Sequence, residues 1–274
     1  MNALSPQGST MAPLITLLTD YGAGSGYPAQ VKGVLLTAFP TARIVDVSHD
    51  VPRHDVLAGA LLLEACAPWF PRGAIHLAVV DPGVGTARRA LCVVDPEGRR
   101  FVGPDNGLLT PFLGPGARAF AIAEGGLVPA PRFATFHGRD LFAPAAIALA
   151  RGEEPAALGP AVDDPVRLAW PRAEVSAEEI RGETLAADPF GNVVTSIRAG
   201  DLPAGSAVVR AEVGGRVARW VRTFGEGRPG ELLALVGSGG RVELAVREES
   251  AAALLGRTRG LDVRLVVGTR KEPC

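Results

Sequence analysis

The chain has 274 residues, 47% of them hydrophobic, with 28 Lys and Arg against 29 Asp and Glu and a net charge of −1; its mean hydropathy is +0.20. That length supports one large or two modest domains whose cores need no metal or disulfide staple, and a balanced charge without a long basic run excludes nucleic acid as the main partner. The longest apolar stretch, Val56 to Ala67, is interrupted by Gly59 and Glu64 and is too short to span a bilayer, so no membrane segment is expected. Residues 1–13 lack the basic start and apolar centre of a signal peptide; they read as a flexible tail, and a cytoplasmic location follows. Cys66, Cys92 and Cys274 are widely spaced, with no Cys-x-x-Cys pair, which makes the first two buried thiols.

Residues 14–168 alternate strand-like and helical patterns, the mark of an α/β domain with a central, mostly parallel sheet. Leu14 to Thr19 is a predicted strand that stops at Asp20-Tyr21-Gly22. Tyr27 to Phe39 is a predicted helix, entered through Gly24-Ser25-Gly26 and Pro28 and stopped by Pro40. A strand from Arg43 to Val47 ends at Ser48-His49-Asp50, and a helix from Asp55 to Trp69 takes Asp55 as its N-cap. The run Ala74 to Val80 ends at Asp81 and continues as Pro82-Gly83-Val84-Gly85-Thr86-Ala87-Arg88-Arg89. Arg100-Phe101-Val102 leads into Gly103-Pro104-Asp105-Asn106-Gly107. Phe136 precedes His137-Gly138-Arg139-Asp140, which opens a helix to Ala150 with Pro144 in its first turn.

Ligands of open α/β sheets collect beyond the carboxyl ends of the strands. Asp81-Pro82-Gly83 alone is also ordinary turn chemistry, but five apolar runs ending in polar loops point to a site along one sheet edge. His76 reads as a core or interface histidine. His49 and His54 line a pocket or cap the next helix, Trp69, Trp170 and Trp220 read as packing residues, and Lys32 reads as half of an ion pair.

After a linker at 169–181, residues 182–274 change character. Short strands at Thr184–Ala187, Val193–Ile197, Ala207–Val213, Val217–Arg222, Leu232–Val236, Val242–Val246 and Asp262–Val267, separated by pairs such as Gly214-Gly215, predict a smaller all-β barrel domain. Asp188-Pro189-Phe190-Gly191-Asn192 is either a β-turn or a ligand loop, and Ser238-Gly239-Gly240 either a hairpin or a place where backbone approaches a ligand closely.

Taken in order, Thr19-Asp20-Tyr21-Gly22, Val31-Lys32-Gly33-Val34, Asp46-Val47-Ser48-His49, Val80-Asp81-Pro82-Gly83-Val84-Gly85-Thr86, Pro104-Asp105-Asn106-Gly107, Phe136-His137-Gly138-Arg139-Asp140, Asp188-Pro189-Phe190-Gly191-Asn192 and Gly237-Ser238-Gly239-Gly240 resemble the S-adenosyl-L-methionine hydroxide adenosyltransferase family, the relatives of fluorinase and chlorinase. The resemblance covers residues 14–268. It implies a homotrimer with sites between subunits and a reaction of S-adenosyl-L-methionine with water that yields adenosine and L-methionine. No cofactor is implied, because S-adenosyl-L-methionine is the substrate. By motif match, Asp81, Arg88 and His137 form the catalytic set. The substrate-binding set comprises Asp20, Tyr21, His54, Phe136, Gly138, Asp188, Phe190, Asn192 and Ser238, with Asp20 on the ribose hydroxyls and Asp188 and Asn192 on the methionine part.

The residue chemistry fits independently. A sulfonium leaves as a neutral thioether and needs no proton donor, whereas water is a weak nucleophile that gains from a positioned acceptor such as His137 or Asp81. Arg88 stays protonated and can only orient or stabilise. A halogenase shares the displacement; against it stand the Asp81, Arg88 and His137 set, Gly138 in place of a halide-holding hydroxyl residue, and the direct step from Arg89 to Ala90. Gly239 stands where an arginine occurs in fluorinase. A nucleoside-binding protein without turnover has no need of a water-activating group.

Overall fold

The computed structural model describes residues 12–202 and 206–269. The chain divides into two compact units that meet in sequence at Trp170 and Pro171.

In the first unit the alternation of apolar residues builds a sheet covered on both faces. Its strands are β1 (Leu14–Thr19), β2 (Arg43–Ser48), β3 (Ile75–Val79), β4 (Ala90–Val94), β5 (Arg100–Pro104) and β6 (Arg118–Ala121), in the order β2-β1-β3-β5-β4-β6. The pairs β1–β2, β1–β3 and β3–β5 are parallel, and β4 pairs antiparallel with β5 and β6. Helices α1 (Tyr27–Ala38) and α3 (Ala143–Ala150) share one core with Ile15, Leu17, Ile75, Leu77 and Val79. Leu18, Ala78 and Val80 point the other way, into a second core with α2 (Val56–Cys66). This is why β3 is buried at every position and reads as an apolar run interrupted only by His76. Gly59 of α2 brings helix and sheet together: a Cβ there would lie 2.9 Å from Val80 Cγ2 and 3.0 Å from Leu108 Cδ1.

The second unit contains β7 (Glu174–Val175), β8 (Glu179–Ala187), β9 (Val193–Arg198), β10 (Ser206–Val213), β11 (Arg216–Trp220), β12 (Leu232–Val236), β13 (Arg241–Val246) and β14 (Asp262–Thr269). Among the described residues, β14, β10, β11, β12, β13, β9 and β8 pair in sequence around a ring closed by β14 on β8, a seven-stranded barrel with β7 on its rim. Inward residues including Ile180, Val193, Ile197, Ala211, Val242, Leu244 and Leu265 fill it.

Several expectations change. The third helix is split: a π-helical turn at Gly138–Phe142 precedes α3, and Pro144, which has no N–H to donate, sits in the first turn of α3. Strands β4 and β6 and the short helix α4 (Ala251–Leu255) join the pattern, and β7 and the start of β8 fall within residues 169–181. Trp69 is 81% exposed, so it is no packing residue, whereas Trp170 and Trp220 lie against the cores. Cys92 is buried and Cys66 only partly so. Cys274 and most of the expected tail lie outside the described residues. No described helix is long and apolar enough to cross a membrane.

Candidate active site

The loops after β1, after β3 and before the π-helical turn open onto one cleft of about 670 Å³ in the first unit, lined by Asp20, Tyr21, His54, Asp81, Phe136, His137 and Gly138, with Arg53 and Arg139 among its other walls. Parallel strands deliver Asp20 and Asp81 to the same edge, because β1 pairs with β3 in register from Ile15–Ile75 to Thr19–Val79.

At the base of this cleft Arg88 joins two loops. Its Nε donates to both carboxylate oxygens of Asp81 at 3.0 Å and its Nη2 to Oδ2. Nη2 also lies 2.8 Å from His137 Nδ1. The side chains of Arg88 and Asp81 are 9% and 5% exposed. A guanidinium only donates, so Nδ1 of His137 accepts and the neutral ring carries its proton on Nε2. Burial and then the Arg88 charge push the His137 imidazole below its ordinary value, with the Asp81 charge opposing them. The Phe142 ring lies 5.2 Å from the guanidinium and closes its other face.

Asp20 and His54 are coupled. The His54 backbone N–H donates to Asp20 Oδ2 at 2.9 Å, and His54 holds a left-handed φ of 63°, a conformation uncommon for a side-chain-bearing residue. His54 therefore lines the cleft, while Asp55 caps α2 by accepting from Ala58 N. Tyr21, Tyr27 and Phe136 meet edge to face with centroids 5.2–6.0 Å apart, which fixes the Tyr21 ring. Its hydroxyl occupies the space beside Gly138: a Cβ on residue 138 would fall 2.1 Å from Tyr21 Oη. Position 138 itself carries no hydroxyl, and the hydroxyl of Tyr21 stands beside it.

Most other motif residues hold the surrounding fold together and do not line the cleft. His49 is buried between Thr19 Oγ1, 2.8 Å from its Nδ1, and Asp46 Oδ1, 3.1 Å from its Nε2. Lys32 pairs with the other Asp46 oxygen at 2.5 Å. Burial raises the Asp46 carboxyl, but the hydrogen bonds from Lys32 and His49 outweigh it and hold it below the ordinary range. Asp105 ties Arg89 to the backbone N–H of Val166, and Asn106 donates to Val80 O at the end of β3, so this motif is a brace. His76 lies in the core between Thr16, Phe70 and Phe101. Arg139 is clamped by Asp140 and stacks on Phe136. Sequence reasoning missed Arg53, Gln30, Tyr27 and Phe133 as cleft walls; the polar loop signal that marked Asp20 and Asp81 was present around Arg53 as well.

In the second unit Asp188 organises its own loop. Oδ1 accepts from the backbone N–H groups of Phe190 and Asn192, and Oδ2 from Asn192 Nδ2. Three of roughly four acceptor positions are thus taken. Phe190 projects into solvent at 82% exposure, and Ser238 is exposed on the β12–β13 turn, closed by Gly240 N to Gly237 O. Among the described residues no group of three or more His, Cys, Asp or Glu is arranged to hold a metal ion.

Two family models match the chain: SAM hydroxide adenosyltransferase N-terminal domain over residues 15–159 and SAM hydroxide adenosyltransferase C-terminal domain over residues 182–264. A protein of Salinispora tropica named (R)-S-adenosyl-L-methionine hydrolase is 44% identical, over 93% of this chain and 98% of its own. One of the same name from Thermus thermophilus is 43% identical, over 92% and 99%. The crystal structure of an uncharacterized conserved protein from Thermotoga maritima superimposes with a TM-score of 0.82 at 32% identity, covering 93% of this chain and 100% of that one. The chain belongs to the SAM hydroxide adenosyltransferase family.

Proposed function

We propose that the protein hydrolyses S-adenosyl-L-methionine to adenosine and L-methionine by attack of water on the ribose 5′ carbon. The observation that carries this is the buried Asp81–Arg88–His137 set at the base of the cleft. The oxygen–C5′ bond forms as the C5′–sulfur bond breaks, with its electron pair passing to sulfur to give a neutral thioether. The water becomes strongly acidic as its oxygen bonds to carbon, so a carboxylate pinned by Arg88 is base enough to accept the proton. Asp81 therefore takes it, and the Nε2–H of neutral His137 donates to the water oxygen. Arg88 holds both partners in register, which is where proximity contributes most.

Asp20 serves the ribose hydroxyls through Oδ1, its Oδ2 being engaged by His54 N. Phe136, Gly138 and His54 shape the pocket, and Asp188, Phe190, Asn192 and Ser238 serve the methionine and adenine parts. The remaining N–H of Asn192 Nδ2 suits a carboxylate, and the one acceptor position left on Asp188 suits an ammonium group. The same reading includes a homotrimer with shared sites, a cytoplasmic setting and no cofactor; support comes from the family resemblance.

The test is chromatography of purified protein incubated with S-adenosyl-L-methionine, with and without chloride or fluoride, beside Asp81→Ala. Adenosine and methionine in equal amounts without halide, lost in the variant, are expected. A 5′-halo-adenosine product makes it a halogenase, and tight binding without product makes it a binding protein.

A further inference from the structure

A water held for in-line attack has four directions to satisfy. One lone pair faces the 5′ carbon, and in the reading above the other accepts from His137 while one hydrogen goes to Asp81. The second hydrogen needs an acceptor, and the catalytic set has none to spare: His137 Nδ1 is filled by Arg88, and three donor contacts from Arg88 already fall on the Asp81 carboxylate.

Tyr21 has the required group in place. Its hydroxyl makes no hydrogen bond to protein among the described residues, and Tyr21 is a lining residue of the same cleft as Asp81 and His137. It lies against Gly138, the residue bonded to His137, in the volume a side chain at 138 would fill. The ring cannot swing away freely, because Tyr27 and Phe136 contact it edge to face at 6.0 and 5.6 Å. We propose that Tyr21 Oη is the third protein contact of the attacking water, accepting its second hydrogen, and that Gly138 is required because it leaves room for this hydroxyl. Burial, followed by the nearby Asp20 and Asp81 charges, raises the phenol well above its ordinary value, so it is neutral throughout the working range and keeps its oxygen lone pairs without adding charge to the site.

This rests on the hydrolase reading, and Tyr21→Phe tests it cleanly because only the hydroxyl is removed and the aromatic contacts remain. The expected result is a kcat lower by about three- to tenfold, the worth of one hydrogen bond, with KM and the thermal midpoint unchanged. Gly138→Ala in the wild-type background is expected to lower kcat at least as far, since its Cβ displaces Oη. In the Tyr21→Phe background the nearest atoms to that Cβ are the ring Cζ at 3.1 Å and Phe136 Cε2 at 3.3 Å, so the same substitution adds little. Unchanged kcat in Tyr21→Phe, a rise in KM in place of the fall in kcat, or an equal effect of Gly138→Ala in both backgrounds overturns the proposal. Wild-type protein that forms no adenosine removes the hydrolase reading and this inference together; active wild type matched by Tyr21→Phe removes this inference alone.

Discussion

Arg88 is the residue whose chemistry is hardest to replace. Its planar fork meets both oxygens of Asp81 and still reaches His137 Nδ1, which no lysine ammonium does from one position. Arg88→Met is expected to lower kcat by about 10²–10³-fold, the usual effect of losing an oriented donor. It also carries a pH signature. Activity needs neutral His137, so it falls as pH drops through the pKa of that ring, which in the wild type lies below the ordinary imidazole value. Removing the Arg88 charge while Asp81 remains raises that pKa, and the acid limb of the kcat/KM profile moves to higher pH; a limb that stays in place would show that His137 does not report on the reaction. His76 shows the same physics applied to stability. Burial first, then the Arg99 charge, lower its imidazole from about 6.5 to about 4. The unfolded chain therefore takes up a proton between those values that the folded chain refuses, and stability is full above pH 6.5 and declines towards pH 4, by roughly 3 kcal/mol in total. Denaturant titrations of wild type and His76→Phe across that window check this: the variant is expected to lose the His76 part of the slope, while His137 and the carboxylates held below their ordinary range, Asp46 among them, contribute the same remainder in both.

Elements place these residues, and a single side chain often decides where an element begins. Asp55 Oδ1 accepts from Ala58 N at 3.0 Å and starts α2 one residue after His54, whose N–H holds Asp20. Asp55→Ala is expected to cost about 1 kcal/mol, read as a shift in urea midpoint at unchanged m-value. Such signals explain what was legible in the sequence. β1 and β12 run over the residues their apolar patterns mark, and the Asp55 cap and the Pro40 stop bound their helices. β4 and β6 were not legible as strands because an antiparallel hairpin inserted after β3 breaks the strand-helix alternation that the rest of the sheet follows. The π-helical turn after His137 leaves no periodicity of its own in five residues. In the site, strand-end carboxylates announced themselves, whereas the Tyr21 hydroxyl beside Gly138 depends on a close approach across the fold that no spacing encodes.

At the scale of the whole molecule, the two units carry different parts of the proposed chemistry: Asp81, Arg88 and His137 lie in the first, and the Asp188 loop in the second. The proposed homotrimer with shared sites would take the first-unit residues of each site from one copy and the second-unit residues from another, and closed symmetry would repeat that pairing three times. The expected solution mass is three times the 28.4 kDa chain, read by light scattering. A sharper prediction uses two inactive variants. Asp81→Ala disables the first-unit half of every site it enters, and Asp188→Ala the second-unit half. When equal amounts are unfolded together and refolded, a site that pairs the intact first unit of one chain with the intact second unit of the other is wild type. Random mixing makes about a quarter of the sites so, and adenosine formation is expected to return to that fraction of the wild-type rate, although neither variant refolded alone shows it. If both halves of a site come from one chain, every site in the mixture carries a defect, and activity stays at the level of the single variants.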